Sequence, residues 1–177
     1  MLYSSEEMEQ AALLDVAQAM CTAARTAPKT KGVDKIVTMV ITGDDRLALA
    51  DKMEEVDEML NGANRSFITR DAGCVRKAQA VVLIGYEKHY YGLNCRNCGF
   101  ETCAACQEAG GACLFSGIDL GIAVGSAVSV AENSRVDNRV MYSVGKCAEL
   151  MNYFAEDTVL IGIPLSISGK NPFFDRK

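Results

Sequence analysis

Cysteines crowd one short stretch of this chain. Cys95, Cys98, Cys103, Cys106 and Cys113 are five of the eight cysteines in 177 residues. Packing does not call for that density, because Leu or Val offers a core more volume and apolar surface than a thiol. Gaps of two, four and two residues between the first four let the sulfurs converge on one centre. Soft sulfur ligands select iron–sulfur clusters, zinc or Cu(I). Zinc sites of the paired-knuckle kind usually set a dozen or more residues between two CxxC pairs. Here only Gly99, Phe100, Glu101 and Thr102 separate the pairs, a loop suited to wrapping a cluster. The expected group is a 4Fe–4S cluster, with Zn as the alternative and a disulfide-stapled loop as a third arrangement.

Five thiols compete for four ligand positions. Cys106 follows Cys103 at i+3, and Ala104 and Ala105 between them favour helix, so both sulfurs fall on one helical face. That spacing suits ligation and a packed thiol equally. Cys113 follows Gly110-Gly111, a turn able to swing a sulfur back to the loop. The order Cys95-x-x-Cys98-Gly-x-x-x-Cys103 with a later Cys resembles the small 4Fe–4S domain of corrinoid iron–sulfur proteins and of the Rnf electron-transport complex. The resemblance implies Cys95, Cys98, Cys103 and Cys113 as the metal ligands, with Cys106 left over.

The elements that must hold this loop are legible in outline. Ser4 and Glu7 form a capping box, and Met8, Ala12, Leu13, Val16, Ala17, Met20 and Ala24 recur at helical spacing until Pro28. The apolar runs 36–41, 80–86 and 159–163 predict strands buried on both faces, the last closed by Pro164. Leu49, Met53, Val56 and Leu60 mark a second helix ending at Asn61-Gly62. Residues 64–77 predict a loop with a short helix, 135–139 a charged turn, and 140–144 a short strand. The run 80–86 leads almost directly into the cysteine loop, which places the loop beyond a strand end. Gly117, Gly121, Gly125 and Ser129 stand four apart and form a ridge with almost no side chain on a helix. Each interior glycine costs about 0.5–1 kcal/mol relative to Ala, so a close partner is expected there: a second helix at a dimer axis, or a flat cofactor.

Composition sets the surroundings. The net charge of -5 and the lack of a Lys/Arg run argue against nucleic acid as partner. The start Met1-Leu-Tyr-Ser-Ser-Glu-Glu has no signal-peptide pattern, and no apolar run is read as a membrane span. Eight cysteines in that setting predict a reducing, cytoplasmic location. His89 is the single histidine, which excludes a His-based metal cage; it is read as an ordinary, partly exposed side chain.

A family resemblance spans nearly the whole chain. The segment Ala23-Ala-Arg-Thr-Ala-Pro28, the basic loop and the strand after it look like the opening of flavin-dependent nitroreductases. Asp119-Leu-Gly-Ile-Ala123 resembles their central helix, and Gly162-Ile-Pro164 their late strand. More closely, the cysteine segment joined to residues 119–127 and to the tail from Pro164 to Arg176 is similar to bacterial and archaeal proteins described as containing a ferredoxin domain. The resemblance implies an α+β, nitroreductase-like fold with a small central mixed sheet covered by helices. It implies one domain over 1–177, with a cysteine-rich cluster-binding insertion at about 92–114, and an intertwined homodimer. It also implies FMN, although the amides that would meet the ring are replaced by Lys29, Gly32 and Asp34. The residues placed for FMN are Arg25, Lys29, Lys31, Gly32, Lys170 and Arg176. Lys170 follows a glycine but belongs to no phosphate loop, and no strand precedes a G-x-G-x-x-G.

Two function classes follow. In one, the chain is an iron–sulfur redox protein that transfers electrons to a redox partner protein or serves flavin-linked reduction as an oxidoreductase. In the other, a cluster or Zn folds the loop of a non-catalytic binding or assembly module.

Overall fold

The chain opens on its capping box. Ser4 Oγ accepts from the Glu7 amide while Glu7 Oε2 accepts from the Ser4 amide, starting helix α1 (Ser5–Thr26). The computed structural model describes residues 1–64 and 66–174. After α1 come a 3₁₀ turn (Thr30–Gly32), β1 (Ile36–Thr42), α2 (Gly43–Asn61), α3 (Phe67–Lys77) and β2 (Ala80–Glu87). Then follow α4 (Cys103–Glu108), α5 (Leu114–Asn133), β3 (Asp137–Asn138), α6 (Tyr142–Ala148), a 3₁₀ turn (Glu149–Met151) and β4 (Thr158–Ser166).

The strand order is β1-β2-β4-β3, and every pairing is antiparallel rather than mixed. The cause is the connection between β1 and β2. Residues 67–77, read from sequence as mostly loop, are a full helix on the Ser66 cap. Two helices in succession turn the chain back once more than a single crossover helix would. β1 is therefore an edge strand, half-buried over Val37 to Val40, and not buried on both faces. β2 is central, with Ala80 to Tyr86 all buried.

Alternation along β2 divides two cores. Val82 and Ile84 meet α1 and α5 through Leu13, Met20, Ala123 and Ala127. Val81 and Leu83 face α2, α3 and α6 through Leu49, Met53, Val75 and Val144. Pro164 does not close β4, which runs on to Ser166. Leu165 turns its carbonyl to the β2 side and Gly162 exchanges backbone bonds with Met141 on the other. The Pro164 nitrogen thus points away from β2, toward the break between β3 and the Met141 bridge, where no ladder donor is needed.

Residues 142–148, placed partly in a strand by sequence, form a helix because it covers the free flank of β4. Gly145 rides on that strand so closely that a Cβ there would lie 2.0 Å from the Leu160 carbonyl oxygen. The charged turn after α5 contains the short β3. Leu60 and Met8, expected in apolar stripes, are exposed, and Asp57 is buried instead.

Contrary to expectation, α5 has the length and composition of a membrane span, with hydropathy 1.7 over its best window. It is a core helix on one side. Ser116, Asp119, Leu120, Ala123, Ala127 and Ala131 are buried against the rest of the fold, and a carboxylate such as Asp119 is costly at the centre of a bilayer. Its other side is bare: Gly117, Gly121 and Gly125 have nothing within 4 Å of an added Cβ. Beside them Leu114, Ile118 and Ile122 are exposed at 45%, 42% and 41%.

Candidate metal centre

The five thiols gather on one pocket. Cys95, Cys98, Cys103, Cys106 and Cys113 line it together with Tyr90, Tyr91, Phe100 and Phe115. The loop bends by left-handed backbone at Gly92, Asn94, Arg96, Gly99 and Gly110, and Asn94 tolerates that conformation better than most residues. Thr102 caps α4 by accepting from the Ala105 amide, so Cys103 and Cys106 open the helix at i and i+3, as the alanines between them suggest. Cys113 is the cap residue of α5.

Hydrogen bonds tie the loop down. The Asn94 amide donates to Cys103 Sγ at 3.4 Å, and Asn94 Oδ1 accepts from the Cys103 amide at 2.8 Å. Tyr90 Oη donates to the Gly111 carbonyl at 2.6 Å. Gly111 is packed rather than loose: a Cβ there would lie 3.0 Å from Cys106 Sγ, whereas Gly110 has open space beside it.

The thiols differ in depth. Cys95 is exposed, Cys98, Cys103 and Cys113 are half-buried, and Cys106 is 1% exposed. Burial, then contact with Cys98 and the proximity of Cys113 and Cys103, pushes the Cys106 thiol up. No three His, Cys, Asp or Glu side chains among the described residues stand close enough for one metal ion. Free space between the thiols is ≈ 10 Å³, room for about one water. Cys21, Cys74 and Cys147 lie elsewhere in the fold; burial pushes Cys147 up to about 11 and raises Cys74 and Cys21. They remain packed thiols.

A buried carboxylate that sequence reading placed only within a helix motif anchors the pocket. Asp119, 4% exposed, accepts from the Thr30 amide at 3.0 and 3.1 Å, from Thr30 Oγ1 at 2.9 Å and from Tyr91 Oη at 2.6 Å. Burial and then the Asp119 bond drive the Tyr91 hydroxyl far above its ordinary value. Ser116 Oγ donates to the His89 carbonyl at 3.0 Å, and the His89 ring meets Tyr91 edge-to-face at 4.8 Å. The one signal in the sequence was an acid amid the apolar first turns of α5, well away from Glu132 at its end.

The residues placed for a flavin are mostly engaged within the chain. Lys29 Nζ, with its side chain 6% exposed, donates to the carbonyls of Ala24, Arg25 and Ala27 and so caps α1. Arg25 Nη1 reaches Asp34 at 2.7 Å and the Ile36 carbonyl at 2.6 Å. Burial raises the Asp34 carboxyl, but the Arg25 hydrogen bond, the Ile36 amide and the Arg25 and Lys29 charges together outweigh it and hold the group low. Lys31 Nζ donates to the Tyr91 carbonyl at 3.2 Å, beside Gly32 at φ +68°. That contact sets the 3₁₀ turn against the cysteine pocket. Lys170 follows the far end of β4, where Leu165 pairs with Ala80, while the cysteine loop follows Glu87. Lys170 thus follows the end of the sheet opposite the one from which the cysteine loop leaves, and strand rise puts those two ends about 25 Å apart. Arg176 lies outside the described residues.

Comparison with known proteins agrees with this layout. A nitroreductase with bound FMN from Bacteroides fragilis is similar over 92% of this chain and 81% of its own, with a TM-score of 0.61 at 11% identity. A nitroreductase with bound FMN from Desulfitobacterium hafniense matches 96% of this chain and 81% of its own, with a TM-score of 0.59 at 12% identity. At such identities the likeness shows the fold, which is nitroreductase-like. A protein of Archaeoglobus fulgidus is 41% identical over 185 residues, covering 99% of this chain and 98% of that one. The model of a family described as "uncharacterized protein containing a ferredoxin domain" matches residues 109–176, from the Gly110 turn through α5 to the tail. With its fold, its thiol pocket and a full-length relative in accord, the chain belongs to this ferredoxin-domain family.

Proposed function

We propose that the chain is an iron–sulfur redox protein in which Cys95, Cys98, Cys103 and Cys113 hold a 4Fe–4S cluster. The observation that supports this most is the gathering of five thiols on one pocket, with a backbone amide already aimed at Cys103 Sγ. Amide donors to ligand sulfurs are among the features that set cluster potentials. When bound, such a cluster supplies one-electron transfer. Cys106 then lies behind the ligands as a packed thiol, wedged against Gly111. Residues 92–114 act as an insertion in a single nitroreductase-like domain, and Tyr90, Asn94 and the Asp119 network hold it.

Tyr91 gives the reading its direction. It lines the thiol pocket and bonds through Asp119 and its own carbonyl to the turn Thr30–Gly32. A second redox group at that turn would sit next to the cluster. FMN is the candidate, because the solved neighbours named above carry it. Lys31 and Gly32 would meet it from one protomer, with Lys170 and Arg176 supplied by the partner of a homodimer. The bare glycine face of α5, flanked by Leu114, Ile118 and Ile122, is the surface proposed for that pairing. A separate redox partner protein would deliver or receive the electrons, in a cytoplasmic setting that keeps the thiols reduced.

The internal engagement of Arg25, Lys29 and Lys31 favours a second reading. In it a cluster or Zn only folds the loop, and the chain is a non-catalytic binding or assembly module. Anaerobic purification followed by reduction separates the two. A brown protein whose visible absorbance bleaches on reduction, with a flavin released on denaturation, supports the redox reading; a colourless protein with stoichiometric zinc overturns it.

A further inference from the structure

At the end of the sheet away from the thiols, a small cavity opens over the middle of α3. Its floor is Gly73 and Cys74, its wall is Phe173, and Arg70, Lys77 and Arg139 ring it. Among the described residues the lining contains no Asp or Glu, in a chain whose net charge is -5. The cavity measures ≈ 100 Å³, room for several waters or one tetrahedral oxyanion.

Each cation is placed by the fold and keeps donors to spare. Arg70 sends Nε and one terminal nitrogen to Asp71 Oδ1, leaving the other terminal nitrogen. The opposite oxygen of Asp71 is taken by Ser143 Oγ at 2.6 Å, so this carboxylate turns inward. Arg139 uses Nη1 on the Phe173 carbonyl at 2.8 Å and stacks over the Phe174 ring at 5.0 Å, which fixes its plane. Lys77 is exposed at the end of α3. Burial and then the Asp71 charge raise the Cys74 thiol, and the Arg139, Lys77 and Arg70 charges oppose them. Gly73 adds the last feature. A glycine inside a helix is unfavourable, and here nothing lies within 4 Å of where its Cβ would be. No neighbour among the described residues requires that gap; an occupant of the cavity would.

We infer that this cavity is an oxyanion site that takes a phosphate group. The remaining terminal nitrogen of Arg70, the Arg139 nitrogens not bonded to Phe173 and the Lys77 ammonium supply cationic donors that suit an oxyanion. The site stands apart from the proposed cluster, so it survives if the chain proves to hold zinc or no metal.

The test is calorimetric titration of the full-length protein in buffer free of phosphate and sulfate, with inorganic phosphate, AMP and adenosine as probes. Saturable phosphate binding is expected, weakened about tenfold or more by Lys77→Glu. Gly73→Leu should abolish it without lowering the melting temperature, because the new side chain fills the cavity and the helix loses a glycine. AMP competing with phosphate while adenosine does not would identify a phosphate monoester as the source. Phosphate binding alone would identify the free anion. No binding of phosphate or AMP at millimolar concentration overturns the inference, as does equal binding by wild type, Lys77→Glu and Gly73→Leu.

Discussion

The Tyr91 hydroxyl donates to Oδ2 of Asp119 at 2.6 Å, joining residues 28 apart in the chain across a buried contact. One partner lines the thiol pocket and the other sits in α5, whose cap is Cys113. The same carboxylate accepts from Thr30. Asp119 therefore holds three segments in one place: the approach to the cysteine loop, the helix that leaves it and the 3₁₀ turn.

Asp119→Asn should lower stability by about 2–4 kcal/mol, since buried hydrogen bonds to a charged group are worth about 1.5–3 kcal/mol each and the new amide would oppose the Thr30 N–H. Tyr91→Phe should cost less, about 1–3 kcal/mol. Denaturant unfolding checks both, and iron content after anaerobic purification should fall with Asp119→Asn. A variant as stable as wild type with full iron would remove the anchoring role.

Asp57 predicts an acid limb of stability. It is 0% exposed; burial raises its carboxyl, but bonds from Thr69, Ser66 and Asn61 outweigh that and hold it far below the carboxylate range. A depressed folded pKa contributes stability above the unfolded value of about 3.9 and loses it as pH falls. Unfolding midpoints measured from about pH 6 to about pH 3 should drop more steeply for wild type than for Asp57→Asn. Parallel curves would contradict this.

The sequence showed the three long strands by their β-branched runs, α1 by its caps and the cysteine loop by its thiols. These are local signals. What it could not show depends on where distant segments meet. Thr30 and Asp119 are 89 residues apart, and Lys29 reads as a free cation until the chain turns back at Pro28 to point it at α1. The glycines make the same point. Gly117, Gly121 and Gly125 of the conspicuous ridge in α5 face open space among the described residues, whereas isolated Gly85, Gly145 and Gly162 sit against the backbone or side chains of neighbouring elements. Likewise β1 and β2 have similar compositions, and only the extra helix between them puts one on the edge.

Those two kinds of glycine should respond oppositely. Gly145→Ala puts a Cβ 2.0 Å from the Leu160 oxygen, and should cost about 3 kcal/mol or more because backbone must move. Gly121→Leu meets open space within one chain. If α5 pairs across a homodimer, this variant should shift light-scattering mass from dimer to monomer. A wild-type protein that is monomeric would contradict the pairing.

A flavin at the turn Thr30–Gly32 should depend on Lys31 and on Lys170. Lys29 is a poor probe, since reversing its charge would uncap α1. Lys31→Glu and Lys170→Glu should each reduce FMN retained after gel filtration, and the double variant should retain little. Retention unchanged in the double variant would exclude this placement.

Iron and acid-labile sulfide per chain, measured after anaerobic purification of wild type, Cys113→Ser and Cys106→Ser, bear most directly on the cluster. The account predicts about four of each in wild type, near-complete loss in Cys113→Ser and retention in Cys106→Ser. Zinc without sulfide in wild type, or loss in Cys106→Ser with retention in Cys113→Ser, would contradict it.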